Sequence, residues 1–186
     1  MRHARTAGNA ENKRMGRDDV PLDDVGLAQA TDLAHALRHE RIDVIHSSPL
    51  QRARQTAAPL AAPLGLAVVE VAELLEMDFG PAAVDDAAGT KLKVKTKHRH
   101  DPLPGGESMF DVWERCGAYV ERIVGPLAAG ASVLAVGHYR LNQLLAGRLL
   151  GLDFDTAVDE PVMRPENASA YALVPSIGAC SWLWEP

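Results

Sequence analysis

"ASVLAVGHYRLNQLLAGRLLG", residues 131–151, decides the fold. Val133 to Val136 form an uninterrupted apolar run, the pattern of a strand buried on both faces of a sheet. Gly137-His138 break the run. From Tyr139 the spacing is that of a helix ending at Gly151. A buried strand that turns at once into a helix is the repeating unit of an α/β fold with a mostly parallel sheet.

The same unit recurs upstream. In "RIDVIHSSPLQRARQTA", residues 41–57, a short β-branched strand from Ile42 to Ile45 leads to Ser48. Ser48 reads as a helix N-cap and Pro49 as the first helical residue. Pro59 and Pro63 are expected to kink or end that helix. "GLAVVEV" at 65–71 reads as another strand. In "GLAQATDLAHALRHE", residues 26–40, Leu27, Ala30, Leu33, Ala34 and Leu37 share one helical face. Ser108 with Asp111 three residues on predicts a capped helix start. Phe110, Trp113, Gly117, Val120 and Val124 then form its apolar face. "NASAYALV" and "CSWLWEP" predict two short strands joined by a turn at Ser176 to Gly178. Trp182 and Trp184 fall on one face there, as packing residues. Between Glu76 and Gly106 no period is visible, so residues 77–106 read as a lid or loop. It contains the basic run from Lys91 to His100. That run reads first as a solvated loop, and otherwise as a lid attracting a phosphorylated or acidic substrate.

Composition sets the limits. The chain has 186 residues, 47% of them hydrophobic, which suits a single domain over 1–186. A net charge of −6 argues against a protein that binds nucleic acid through bulk positive charge. No apolar run is long enough to span a membrane, and the polar, basic start resembles no signal peptide. The two cysteines, Cys116 and Cys180, are far apart and read as reduced thiols. The expected compartment is the cytoplasm.

Three strand-to-helix junctions carry the chemistry. They are Arg2-His3, Ser47-Ser48 with Arg52, and Gly137-His138. In a parallel sheet such junctions meet at the carboxyl ends of the strands. Two arginines, two histidines and a helix N-terminus around one point make an anion site, and the arginine fork suits phosphate. His35 and His39, four apart on a helix, have no third ligand nearby and read as a solvated face. No metal site and no cofactor is expected.

"RHARTAGN", "GRDDVPLDDVGLAQA", "SSPLQRARQTA", "EMDFG", "PGGES" and "VLAVGH", in this order, resemble the histidine phosphatase superfamily, the phosphoglycerate mutase-like proteins. The resemblance covers nearly the whole chain. It implies a three-layer α/β/α fold. It implies His3 as the nucleophile that becomes phosphorylated, with Arg2, Arg52 and His138 holding the phosphoryl oxygens. Asn9 matches a phosphate-contacting asparagine, and Glu76 matches the carboxyl that protonates the leaving oxygen. Ala4 replaces a usual glycine and Arg5 a common glutamate. Tyr139-Arg140 stand where two glycines are frequent, so both are candidate substrate contacts. "PAAVDD" replaces the residues that often follow "FG" in phosphatases. Relatives also carry an apolar strand just before the Arg-His pair. Only Met1 stands there, so the expectation is a start assigned too late and the family's first strand missing before Arg2.

The function implied is a metal-independent phosphomonoesterase with a small phosphorylated substrate, acting as monomer or homodimer. The alternatives are a mutase, a phosphoprotein phosphatase, or a phosphate-ester binding module without turnover.

Overall fold

The computed structural model describes residues 1–81, 98–125, 130–174 and 179–184. A one-turn helix α1 (Ala7–Ala10) is followed by α2 (Asp24–Ala36), β1 (Val44–Ser47), α3 (Gln51–Leu64) and β2 (Val68–Glu70). A short 3-10 turn, Ala72–Leu74, precedes α4 (Met109–Tyr119). Then come β3 (Val133–Val136), α5 (Tyr139–Leu149), α6 (Phe154–Asp159), β4 (Ala170–Val174) and β5 (Ala179–Trp184). β1 lies between β2 and β3, parallel to both, with Ile45 opposite Val68 and Ser47 opposite Val136. β4 and β5 form an antiparallel hairpin.

Strand alternation assigns the two faces of the sheet. Ile45, Leu134 and Val136 pack with Ala30, Leu33 and Leu37 of α2 and Ala53, Ala57 and Leu60 of α3. On the other side Ala135 meets Val112, Trp113 and Cys116 of α4 and Leu141 and Leu144 of α5. His46, between Ile45 and Ser47, hydrogen-bonds the Tyr119 hydroxyl at 2.9 Å. The sheet therefore has a helical layer on each face. Each large core side chain contributes about 1.5–3 kcal/mol by leaving water.

Residues 1–3 lie between β3 and the hairpin. The Met1 amino group donates to Ala135 O at 2.8 Å, and Gly137 N donates to Met1 O at 2.9 Å. His3 N reaches Gly137 O at 3.0 Å, while Arg2 N reaches Ser169 O at 3.1 Å. Arg2 and Gly137 form a single parallel bridge. A groove of about 630 Å³ adjoins this region, lined by Val133, Leu134, Tyr171, Leu173 and Leu183.

Several local expectations change. Ala30, Leu33 and Leu37 are buried as expected, but Leu27 is 48% exposed and Gly26 is buried in its stead. α3 starts at Gln51 with Leu50 as its cap, two residues later than expected, although Ser48 Oγ still accepts from Leu50 N at 3.3 Å. It runs through Pro59 and Pro63 to Leu64, stopping at Gly65 in the left-handed conformation. Its buried face of Ala53, Ala57 and Leu60 outweighs the lost amide bonds. β1 begins two residues later than the pattern of Ile42 to Ile45 predicts. The Ser108–Asp111 capping box is present as expected. Phe110 leaves the core face and packs edge-on against Phe154 at 5.2 Å, 37% exposed. Cys116 is a buried free thiol, its pKa pushed up to about 12 by burial.

Most of the basic run, Lys91 to Lys97, lies outside the described residues, as do the turn 176–178 and the side chains of Cys180, Trp182 and Trp184. The end of the run is described. Arg99 pairs with Asp155 and Asp159 of α6, and His100 packs on Phe110 and Phe154. These two residues anchor the segment to α6. Among the described residues no helix is long and apolar enough to cross a membrane.

Candidate active site

The three junctions converge as the sequence predicts. A cavity of about 200 Å³ is lined by Arg2, His3, Asn9, Arg52, Glu76, Phe79, Tyr139 and Arg140, among others. His138 lies behind His3, with ring centroids 5.2 Å apart.

His3 ends the short Met1–His3 segment and is almost wholly buried. Its Nδ1 lies 2.7 Å from Ala4 O. A carbonyl can only accept, so Nδ1 carries the proton and Nε2 keeps a free lone pair. Burial first, then Arg52 and Arg2, hold the imidazole well below its ordinary 6.5. His3 is therefore neutral at pH 7 and competent as a nucleophile. Ala4 is fully buried and its amide donates to Thr56 Oγ1, so there is space for this small residue and little more.

Arg52 is held by backbone carbonyls. Its Nη1 donates to Asp18 O at 2.5 Å and its Nη2 to Gly16 O at 2.6 Å. Gly16 adopts φ +47°, and a Cβ there would meet the Phe79 ring at 3.0 Å, so this tight turn suits glycine. Arg2 donates to Pro165 O at 3.0 Å. Among the described residues, Arg2 Nε and Arg52 Nε are buried N–H groups with no partner, and His138 Nδ1 is likewise buried without one. His138 Nε2 lies 2.8 Å from Ser48 Oγ, which also accepts from Leu50 N. This contact holds the imidazole against Ser48 and leaves Nδ1 as the ring nitrogen without a partner among the described residues. Burial, with Arg52 next, keeps His138 well below 6.5.

Asn9 sits in the pocket wall, and its orientation is fixed. Its Oδ1 accepts from Thr6 N at 3.1 Å and from Asn167 Nδ2 at 3.0 Å. Asn167 Nδ2 also donates to His3 O, which settles which end of that amide is nitrogen. Asn9 Nδ2 is thus left as the available donor. Glu76 lies at the N-terminus of α5. Its Oε1 accepts from Met77 N at 2.9 Å and Leu141 N at 3.2 Å, and its Oε2 from Arg140 N at 3.3 Å. This corrects one expectation: two early amides of the helix N-terminus hold Glu76 and do not face an anion directly. Oε2, with one partner, has room for a proton.

Tyr139 and Arg140 form one wall. The Tyr139 ring is flanked by the Arg2 guanidinium at 5.3 Å and that of Arg140 at 5.5 Å. Arg140 also donates to Gln143 Oε1 at 3.0 Å. Arg5 lies away from this cavity and pairs with Asp23. Two larger grooves flank the cavity. One, of about 670 Å³, shares Lys13 to Gly16 and Phe79 with it. The other, of about 430 Å³, shares Arg2, Asn9 and Tyr139 and adds Glu166 and Asn167.

Sequence reading did not single out Ser48 as a histidine partner, or Asn167. It also missed Arg17, Glu107 and Arg115 around Glu76. Their positions share no period with the residues they touch. Only the quoted "GRDD" and "PGGES" stretches marked two of them. Among the described residues no three His, Cys, Asp or Glu side chains are grouped to hold a metal ion.

A sequence model of the histidine phosphatase superfamily, branch 1, matches residues 1–183. The chain belongs to the histidine phosphatase superfamily. An uncharacterized phosphatase, PhoE, of Bacillus subtilis (strain 168) is 31% identical over 145 residues, covering 73% of this chain and 72% of that protein. The probable phosphoglycerate mutase GpmB of Yersinia pestis (strain Pestoides F) is 30% identical over 159 residues, covering 82% of this chain and 74% of that protein. Among solved structures, a mycobacterial glucosyl-3-phosphoglycerate phosphatase superimposes with TM-score 0.77 at 30% identity, over 90% of this chain and 87% of its own. A putative alpha-ribazole-5'-P phosphatase from Escherichia coli K-12 shares the fold, with TM-score 0.79 at 22% identity over 98% of this chain and 91% of its own. Family and relatives make this chain a phosphatase of the histidine phosphatase type with the three-layer α/β/α fold.

Proposed function

We propose that this phosphatase hydrolyses a small phosphorylated metabolite without metal, through a phosphohistidine on His3. One observation carries the reading. His3 Nε2 keeps its lone pair at a cavity that Arg2 and Arg52 also line, and the Nε–H of each arginine has no acceptor among the described residues. Buried donors without partners are costly, at about 1–3 kcal/mol each, and a phosphoryl group would satisfy them.

In this reading Nε2 attacks phosphorus and the ester P–O bond breaks. Glu76 gives a proton to the leaving oxygen. Arg2, Arg52, Asn9 Nδ2 and His138 Nδ1–H hold the oxygens of the moving phosphoryl group, where electrostatic stabilisation counts most. Water then attacks the phosphohistidine, Glu76 takes its proton, and the P–N bond breaks to release phosphate. Arginines supply the positive charge that a metal supplies elsewhere. Tyr139 and Arg140 contact the remainder of the substrate, which extends into a flanking groove. The same reading takes residues 1–186 as one catalytic domain working in the cytoplasm, as monomer or homodimer, with no nucleic-acid or membrane partner. The 30% identity to a glucosyl-3-phosphoglycerate phosphatase supports trying phosphorylated sugar acids first.

The test is hydrolysis of p-nitrophenyl phosphate between pH 5 and 8 with EDTA present, for wild type and His3→Gln. Turnover that survives EDTA and disappears in His3→Gln is expected. Turnover that needs added metal, or that His3→Gln retains, would refute the proposal. Phosphoryl exchange between two acceptors without net release would identify a mutase.

A further inference from the structure

We infer that Glu107 is a positioning residue for the proton-donating carboxyl of Glu76, acting through Arg17 and Arg115. The inference rests on the role proposed above for Glu76.

Glu107 follows Gly105-Gly106 in the segment after the loop. Among the described residues its carboxylate accepts four hydrogen bonds, all from the Asp78 amide or from the arginines that hold Glu76. Oε1 accepts from Arg17 Nη2 at 2.9 Å and Arg115 Nε at 3.1 Å. Oε2 accepts from Arg115 Nη2 at 3.0 Å and from the Asp78 amide at 2.9 Å. The carboxylate has no unused capacity. The two arginines then converge on the backbone of Glu76. Arg17 Nε donates to Glu76 O at 3.3 Å, and Arg115 Nη2 lies 3.5 Å from the same oxygen. Arg115 Nη1 also donates to Glu73 O at 2.7 Å and Leu75 O at 2.8 Å. The backbone from Glu73 to Asp78 is thus gripped by one guanidinium and one carboxylate.

Close backbone approach makes this grip possible. A Cβ on Gly106 would meet Asp78 O at 2.5 Å and Gly80 N at 2.6 Å. Only glycine lets the two segments come together so that Glu107 reaches Asp78 N. Arg17 adds a second link. Its neighbours Gly16 and Asp18 supply the two carbonyls that hold Arg52. Glu107 therefore ties the phosphoryl-holding arginine and the proton-donating carboxyl to one anchor, although it lines no part of the cavity itself.

A misplaced proton donor has a signature that general loss of structure lacks. It harms poor leaving groups more than good ones, because a good leaving group departs without a proton. The experiment measures kcat/KM for a series of substituted phenyl phosphates, from p-nitrophenyl to unsubstituted phenyl. The proteins are wild type, Glu76→Gln, Glu107→Gln and Arg17→Gln. Arg17 is one-third exposed, so its variant provides a test even if Glu107→Gln folds poorly. Expected are a shallow dependence on leaving group in wild type and a steep one in Glu76→Gln. Glu107→Gln and Arg17→Gln should be steeper than wild type, losing about tenfold more on phenyl than on p-nitrophenyl phosphate. Equal losses on all substrates in the Glu107 and Arg17 variants, with Glu76→Gln steep, would overturn the positioning role alone. A Glu76→Gln variant as shallow as wild type would overturn the role of Glu76 and this inference with it.

Discussion

Two groups of charged residues sit on either side of Glu76, and they differ in how their hydrogen bonds are spent. Around His3, the arginines are held by carbonyls at their outer nitrogens and keep Nε unpaired, and His138 keeps Nδ1 unpaired. Around Glu107, every guanidinium N–H of Arg115 meets an acceptor, and both carboxylate oxygens are doubly occupied. Both groups took charge wholly or partly out of water, which is expensive unless it is paired. The paired group offsets that cost within the protein and works as scaffold. The group around His3 lacks acceptors among the described residues, and in the proposed function a phosphoryl group supplies them. The contrast separates the two proposed roles, chemistry around His3 and placement around Glu107, which proximity alone does not.

Substitutions can break this comparison in order of size. His3→Gln removes the nucleophile and keeps the ring's approximate volume. It is expected to reduce kcat by roughly 10⁴- to 10⁶-fold, read by steady-state release of phosphate. Arg52→Lys keeps the charge but loses the fork. A fall in kcat of about 10²- to 10³-fold is expected, with a smaller loss of stability than at Arg115, since lysine can still donate to Gly16 O and Asp18 O. Arg115→Met should show the reverse balance. It leaves Glu107 and three carbonyls short of a buried partner, so denaturant unfolding should show a loss of about 3 kcal/mol. If Arg52→Lys unfolds the chain while Arg115→Met does not, the assignment of scaffold and chemistry is inverted.

Acid should sharpen the same contrast. His3, His138 and His46 are each held neutral by burial, below an ordinary pKa of 6.5. Below about pH 6.5 the unfolded chain binds protons that the folded chain refuses, so stability falls as pH drops. Above that pH these groups contribute their full stability and the curve is flat with respect to them. Thermal melts from pH 8 to 5 should show this, and added inorganic phosphate should raise the melting temperature by binding the folded state alone. A melting temperature that rises on acidification would contradict the neutral-imidazole assignment. The smallest effect is expected at Tyr139. Tyr139→Phe keeps the ring between Arg2 and Arg140, so kcat/KM should change by no more than about threefold.

Much of this was legible in the sequence because strand-to-helix junctions announce themselves. Val133 to Val136 followed by Gly137-His138, and Ser47-Ser48 with Arg52, fix both the parallel sheet and the residues at its carboxyl end. Arg2, His3, Asn9, Arg52, Glu76, Tyr139 and Arg140 all reach one cavity, with His138 against His3. What the pattern hid depends on contacts between distant segments. Ser48 accepts from Leu50 N as a cap would, but its hydroxyl also meets His138 across 90 positions, which no local pattern shows. Leu27 and Phe110 fit a helical face by spacing, yet tertiary packing leaves them at the rim. Arg17, Glu107 and Arg115 meet only because Gly80 and Gly106 let two loops touch.

The most direct measurement is a quench of the enzyme during turnover of a labelled phosphomonoester in the presence of EDTA, followed by peptide mapping. The account predicts an acid-labile, base-stable phosphoryl group on the peptide that begins Met1-Arg2-His3, absent from His3→Gln. Turnover with no phosphoryl group on that peptide at any quench time, or with the label on another residue, would contradict it.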